Sequence, residues 1–346
     1  MHRLEENPIL TPEDVAPSRD DLDVYCTLNP AAVRVGAQVL LLVRVGERPI
    51  PEEGYVAHLY FDAESGETLV ERIARDDPDL TAIDERKYLY RGKILLTSLS
   101  HLRIARGPAH GPFTFDMSPA IYPATPYEAY GCEDARVTPL EGEYLVTYTA
   151  VSRHGVCVAL AATQDFVTFE RRGLIFPTHQ KDVCIFPQRV GGRYVCRHRP
   201  FRTEFNDACI WTAESPDLLS WGRHAMTLSP REGTWEAGRV GAGAPPIRTD
   251  EGWLDVYHAA DAAGRYALGA MLSAPDRPAN VICRSSRPIL EPEAAYERTG
   301  VYADCVFSNG LVVEDDGAVT VYYGAADRVC AAAVTTVTEL LVTAKS

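Results

Sequence analysis

Five times along the chain a glycine turn opens a short β-branched or aromatic run that ends in polar aromatic or basic residues. The runs are GAQVLLLVRV (36–45), GEYLVTYTAV (142–151), GRYVCRHRP (192–200), GWLDVYHAAD (252–261) and GAVTVYYGAAD (317–327). Period-2 alternation and β-rich composition make each a strand. A second apolar run precedes each one, in NPAAVRV, EDARVTPL, KDVCIFPQRV, GAPPIRT and DCVFSNGLVV, so each pair reads as a hairpin. Two further strands around a polar turn follow the first four hairpins. After a longer insertion in the first unit, the units recur roughly 50–65 residues apart, and about four strands at that period indicate a β-propeller. The expectation is an all-β fold: a five-bladed β-propeller with short terminal helical segments. A β-sandwich is the alternative, but it does not explain why similar hairpins recur in the same order.

No Gly/Ser-rich or Pro-rich linker interrupts the pattern. A single catalytic domain over 1–346 follows, with 1–24 as an N-terminal extension and 331–346 as a closing segment. Helical periodicity is confined to PEDVAPSRDDL near the start and VTTVTELLVTAKS at the end.

Composition narrows the function. Of 346 residues 46% are hydrophobic and 24% charged, enough for a sizeable core and too apolar for global disorder. A net charge of −14 excludes a nucleic-acid groove as the main function, because phosphate backbones require clustered Lys and Arg. A local basic pocket remains compatible with an acidic whole. Nine cysteines, an odd number without a CxxC pair, read as reduced buried thiols of a cytoplasmic protein. No Cys/His cluster has zinc spacing, so neither a metal nor an organic cofactor is expected. The polar N-terminus and the lack of a long apolar run predict no signal peptide and no membrane span.

In a propeller the first strand of each blade lines the central channel. The ends of those strands carry Asn29, Glu133, Asp134, Lys181, Asp182 and Asp304; the second strands end near Arg44, His198, Arg199, His258 and Asp327. Core positions do not collect such chemistry. In GCEDARV, Gly131 permits a tight path and Arg136 can pair with one of the two adjacent carboxylates. A carboxylate near other acids on a cavity floor has its pKa raised, which suits Asp134 to general-acid work. Lys181 and Arg199, with His198, would form an anion pocket across one hairpin; the bland alternative is a salt bridge to Asp182. Tyr257 and His258 sit at the next strand end. Asp327 can accept hydrogen bonds from sugar hydroxyls. The four tryptophans, Trp211, Trp221, Trp235 and Trp253, suit core packing better than sugar stacking.

These segments, GCEDARV with YLVTYTA, KDVCIFP with RHRP, GAGAPPIRTDEGWLDVYH, RPILEPEAAYERTG and VYYGAAD, resemble glycoside hydrolase family 130 over roughly residues 25–345. The resemblance implies a five-bladed propeller and an inverting phosphorylase that cleaves a β-mannoside, β-1,2- or β-1,4-linked, with inorganic phosphate to give α-mannose 1-phosphate. It implies Asp134 as the catalytic acid of a GxEDPR motif, acting through the mannose 3-hydroxyl. Lys181, Arg199 and His258, with Tyr257, resemble the phosphate-binding set. Asn29, Arg44, Arg103, Glu133 and Asp327 would hold the mannosyl unit, with Asp304 at the substrate as well. The sequence departs from the pattern at Ala135, where proline is usual, at YHAAD in place of YHG, and at Asp304, where many members have Asn.

One acid suits phosphorolysis, because an inverting hydrolase needs a second carboxylate to activate water whereas phosphate is already a nucleophile. The same-fold rival is an inverting β-mannosidase with Glu133, Asp304 or Glu236 as base. The rival of another class is a non-catalytic sugar-binding propeller. Expected partners are an oligosaccharide and phosphate, no nucleic acid and no membrane, with room for a homo-oligomer. Sugar and linkage choice would fall to loops 46–57, 104–130 and 201–208.

Overall fold

A computed structural model describes residues 1–84 and 86–346. It is nearly all β. An eight-stranded sheet contains two halves joined by one parallel bridge, Gly131 to Ser100. The first half comprises Leu22–Val35, Gln38–Pro49, Leu99–Gly107 and Thr114–Phe115. The second runs Gly131–Leu140, Glu143–Ser152, Gly155–Thr163 and Glu170–Phe176. A four-stranded sheet follows, Gln180–Ile185, Tyr194–Pro200, Ile210–Ser215 and Gly222–Leu228. A five-stranded sheet is built on Arg239–Ala242, Gly252–Ala260, Tyr266–Ser273 and Val281–Arg284, with Ile247–Thr249 paired beside them. The last sheet orders Val306–Val313, Ala318–Ala325 and Val329–Thr336, and its outer strand is His2–Arg3 from the other end of the chain.

Most of these strands are buried on both faces, which is why they read as near-continuous apolar runs. The apolar layers run in a cycle. Leu40, Leu42, Leu102 and Ile104 of the first unit pack on Val137, Val146 and Tyr148 of the second. Leu145 and Leu160 pack on Val183, Ile185 and Cys196 of the third, whose Ile210 and Leu228 meet Val240, Ala259 and Met271 of the fourth. Val256, Leu268 and Ala270 then pack on Val321 and Tyr323 of the fifth. Tyr322, Cys330 and Ala332 return to Leu41, Val43 and Ala105 of the first. Each fully buried Leu, Ile or Phe in these layers contributes about 1.5–3 kcal/mol of transfer free energy. All nine cysteines are free thiols, seven of them buried.

Three local expectations change. Residues around PEDVAPSRDDL form only one 3-10 turn, Pro12–Asp14, before the chain extends into Leu22–Val35. Pro17 fixes a backbone without an N–H donor, so a longer helix cannot follow. A short helix at Ala295–Arg298 was not read from the sequence, whereas the C-terminal one is Val337–Ala344, capped by Thr336 accepting from the Glu339 N–H at 3.1 Å. In the fourth unit the strand paired with Gly252–Ala260 is interrupted, because Pro245 and Pro246 supply no ladder donors. The insertion of the first unit folds into a hairpin, Tyr55–Asp62 with Glu67–Ala74, and a three-stranded sheet of Leu80–Ala82, Lys87–Tyr90 and Lys93–Leu96.

Candidate active site

The first strands of four units share one irregularity. Their pairing registers slip between Leu28 and Ala31, Glu133 and Arg136, Lys181 and Cys184, and Ser308 and Gly310. In the first three the slip places Asn29, Asp134 and Asp182 in the left-handed region, at φ 49°, 49° and 56°. Asn and Asp tolerate that region better than other side chains, and a bulge re-aims the residue it carries. This is why two acids can open a buried strand: the bulge turns Asp134 out of the ladder and toward the other units.

Around Asp134 the chain assembles one charged cluster. Its Oδ1 accepts from Asn29 Nδ2 at 2.8 Å and from Arg44 Nη1 at 3.2 Å. Arg44 also donates to Glu133 Oε1 at 2.9 Å and, through Nε, to Ser100 Oγ at 2.9 Å. Lys181 Nζ stands 3.6 Å from Glu133 Oε2 and 3.9 Å from Asp134 Oδ2. Asp327 lies in the same field, with Arg86 of the insertion 3.9 Å from its Oδ2. Burial pushes the Asp327 carboxyl up, and the nearby Asp134 charge adds to that while Arg44 opposes it.

The expected rise in the Asp134 pKa is corrected. Burial does act to raise it, but Arg44, Lys181 and the Asn29 hydrogen bond outweigh burial and hold the carboxyl below its ordinary value. Without a bound anion, the candidate acid is ionised.

A second cluster is centred on Asp182, which is 2% exposed. Its Oδ2 accepts from Arg199 Nε at 2.6 Å and lies 3.3 Å from His258 Nε2; its Oδ1 accepts from Arg136 Nη2 at 3.0 Å. Burial would raise this carboxyl, yet Arg199, His258 and Arg136 hold it well below the usual range. His258 is itself pushed down by burial, with Asp182 opposing the shift. Arg136 was expected to pair with Glu133 or Asp134. It reaches past them to Asp182 and donates to the backbone carbonyls of Asp134, Ala242 and Gly243 at 2.9, 3.1 and 3.3 Å. One buried guanidinium thus ties three units together. Breaking such a pair by deleting one partner costs about 3–5 kcal/mol.

The expected cation trio is therefore divided: Lys181 faces Glu133 and Asp134, whereas Arg199 and His258 face Asp182. The Arg199 terminal nitrogens make no hydrogen bond among the described residues. Three predicted site residues are not brought to either cluster. Tyr257 follows strand alternation to the face opposite His258, where its hydroxyl donates to Glu236 Oε2 at 2.7 Å and its ring stacks on Trp235. Arg103 pairs across the ladder with Val43 while Arg44 pairs with Leu102, so their side chains leave opposite faces. Arg103 Nη1 instead donates to Ala16 O at 2.8 Å, fastening the N-terminal segment. Asp304 is exposed at φ 53°, its backbone carbonyl accepting from Tyr266 N.

His198 points away from Arg199, between Gln180 Oε1 and His224 Nδ1 at 3.0 Å each, against the Phe176 ring. Glu236 is fully buried and bonded by Tyr257 and Arg231. Trp253 is core, its indole N–H on Pro275 O.

Sequence reading did not find Asp182 as a hub, Arg86 on the insertion, or Arg239, whose Nη1 donates to the Tyr266 hydroxyl at 3.1 Å. Tyr266 lies in the field of both Arg239 and Arg199, so a further cation borders the second cluster. Aligning the units on Asn29-Pro30, Asp134-Ala135 and Asp182-Val183 would have exposed the hub. A surface depression of about 480 Å³, lined by Ser18, Arg19, Thr68 and Tyr122, shares no residue with either cluster. Among the described residues, no group of His, Cys, Asp and Glu is arranged to hold a metal, and no helix is long and apolar enough to cross a membrane.

The chain as a whole is similar to known proteins. Residues 88–346 match a family model described as beta-1,4-mannooligosaccharide phosphorylase. The beta-1,2-mannobiose phosphorylase of Listeria innocua is 40% identical over 346 residues, covering 99% of this chain and 97% of its own. The structure of the Listeria innocua enzyme in complex with beta-1,2-mannobiose superposes with a TM-score of 0.94 at 39% identity, over 99% of this chain and 98% of that one. A 1,2-beta-oligomannan phosphorylase of Thermoanaerobacter sp. is 39% identical over 219 residues, 62% of this chain and 72% of its own.

Proposed function

The chain belongs to glycoside hydrolase family 130 and is a mannoside phosphorylase, and from that premise we propose that it cleaves β-1,2-linked mannobiose with inorganic phosphate. The products are α-mannose 1-phosphate and free mannose. The two relatives that are about two-fifths identical over their matched lengths are both named for β-1,2-mannosides, which favours that linkage over β-1,4.

The five sheet units are the blades of one propeller, and the cycle of apolar layers from first to fifth and back supports this reading. His2–Arg3 on the outer edge of the last sheet would fasten the ring. Asn29, Asp134 and Asp182 then face one axial cavity from successive blades.

In that cavity Asp134 protonates the departing oxygen while phosphate attacks the anomeric carbon from the opposite side. Asn29, Arg44, Glu133 and Asp327 hold the mannosyl hydroxyls. Lys181 and Arg199 grip the phosphate, bringing its charge beside a sugar at low electrostatic cost. The observation that carries the reading is the pairing of one buried acid with a lysine 3.9 Å away and an arginine whose terminal nitrogens have no hydrogen-bond partner among the described residues. A hydrolase would need a base for water. Glu236 is buried and already bonded, and Glu133 is held by Arg44 and Lys181.

The test is release of mannose 1-phosphate from β-1,2- and β-1,4-mannobiose, with and without phosphate. Strict dependence on phosphate, with the β-1,2 substrate preferred, is expected. Equal cleavage without phosphate would restore the hydrolase.

A further inference from the structure

We propose that Asp182 is the positioning residue of the phosphate site, acting through Arg199; this rests on the phosphorolytic reading above. A guanidinium is planar, so gripping it at Nε fixes the direction of both terminal nitrogens. Asp182 Oδ2 does this at 2.6 Å, and among the described residues the terminal nitrogens of Arg199 make no hydrogen bond, which leaves that edge to a second anion. The carboxylate is itself held on every side. Its backbone is fixed by the bulge, at φ 56°, and its Oδ1 is occupied by Arg136.

The third side is closed by the next unit. A Cβ on Gly241 would lie 2.2 Å from His258 Nε2 and 2.6 Å from Asp182 Oδ2, so bare backbone presses on both groups. Lys181, the cross-strand partner of Arg199 in the ladder, offers no acceptor to a guanidinium and faces Glu133 and Asp134 instead. The Asp182–Arg199 bridge is thus no alternative to an anion site. It is the mount that aims one.

Asp182→Asn keeps the shape and tolerates the left-handed backbone, but it weakens the grip on Nε. The phosphate KM should rise roughly ten- to a hundredfold, the loss expected for one charge-assisted hydrogen bond. The mannobiose KM, and kcat at saturating phosphate, should stay within about threefold of wild type. A purely structural role would lower the melting temperature without this split. Gly241→Ala shifts the same carboxylate without changing any charge, and should raise the phosphate KM in the same selective way even if Asp182→Asn does not fold. An unchanged phosphate KM in Gly241→Ala, or in folded Asp182→Asn, overturns the proposal. Wild-type enzyme that turns over without phosphate would instead remove the reading beneath it.

Discussion

Asn29 and Asp134, 105 positions apart, occupy equivalent bulges of neighbouring units and are joined by a 2.8 Å hydrogen bond from the amide to the carboxylate. The bond fixes the rotamer of the acid, and Gly324 makes room for it: a Cβ there would fall 2.1 Å from Asn29 Oδ1. Asp134→Asn should lower kcat about a thousandfold, within the range for loss of a general acid, with an unchanged circular dichroism spectrum. Asn29→Ala leaves the acid present but loosely aimed, and roughly a tenfold loss is expected. A folded Asp134→Asn enzyme with ordinary turnover would remove Asp134 from the chemistry.

Lys181 stands between the acid and the anion it is assigned. Lys181→Ala removes a point charge from the phosphate and also relieves Glu133 of a partner 3.6 Å away. The phosphate KM should rise at least about tenfold while the mannobiose KM changes less, measured by initial rates with each substrate varied in turn. A larger change for the sugar would place Lys181 on the mannosyl side.

The all-β character was legible because each unit repeats its own hairpin, with alternation and β-branched residues marking every strand. Much of the site was legible for the same reason: strand ends converge, so Asn29, Arg44, Glu133, Asp134 and Lys181 could be named together. What failed was side-chain direction. Tyr257 and Arg103 lie one residue from His258 and next to Arg44's ladder partner, and a single step along a strand reverses the face. The direction of the Asp134 pKa failed too. Its neighbour Glu133 is acidic, but the groups that decide it, Arg44 and Lys181, come from other units. The role of Asp182 was hidden because its cross-strand salt bridge was read as an alternative to an anion pocket; the bridge to Arg199 is present, and the bulge sends Lys181 to a different cluster.

That Asp134 is ionised in the free site has a measurable consequence. Phosphate on Lys181 and Arg199 offsets the cations that hold the carboxyl low, and adds negative charge beside it. Its pKa must rise, so phosphate and a proton bind together. Calorimetric titration of phosphate in buffers of different ionisation enthalpy should show net proton uptake by the wild type. Asp134→Asn should show less, the difference being the proton taken by the acid. Equal uptake in both would mean that Asp134 does not respond to the anion.

His198 offers a test of stability remote from the chemistry. Burial first, and then the charge of His224, push its pKa down to about 3. In the unfolded chain it binds a proton near pH 6.5, while the folded protein keeps it neutral. The unfolded state therefore binds more protons below that pH, and stability falls as pH drops from about 6.5 toward the folded value. One such group contributes up to about 1.4 kcal/mol per pH unit across that window. His198→Phe preserves the stack on Phe176, 4.8 Å between ring centroids, but cannot titrate. Its urea-derived stability should decline less steeply between about pH 6 and 4.5 than that of the wild type. Parallel declines would mean that His198 is already protonated in the fold, held by Gln180 rather than forced neutral by burial.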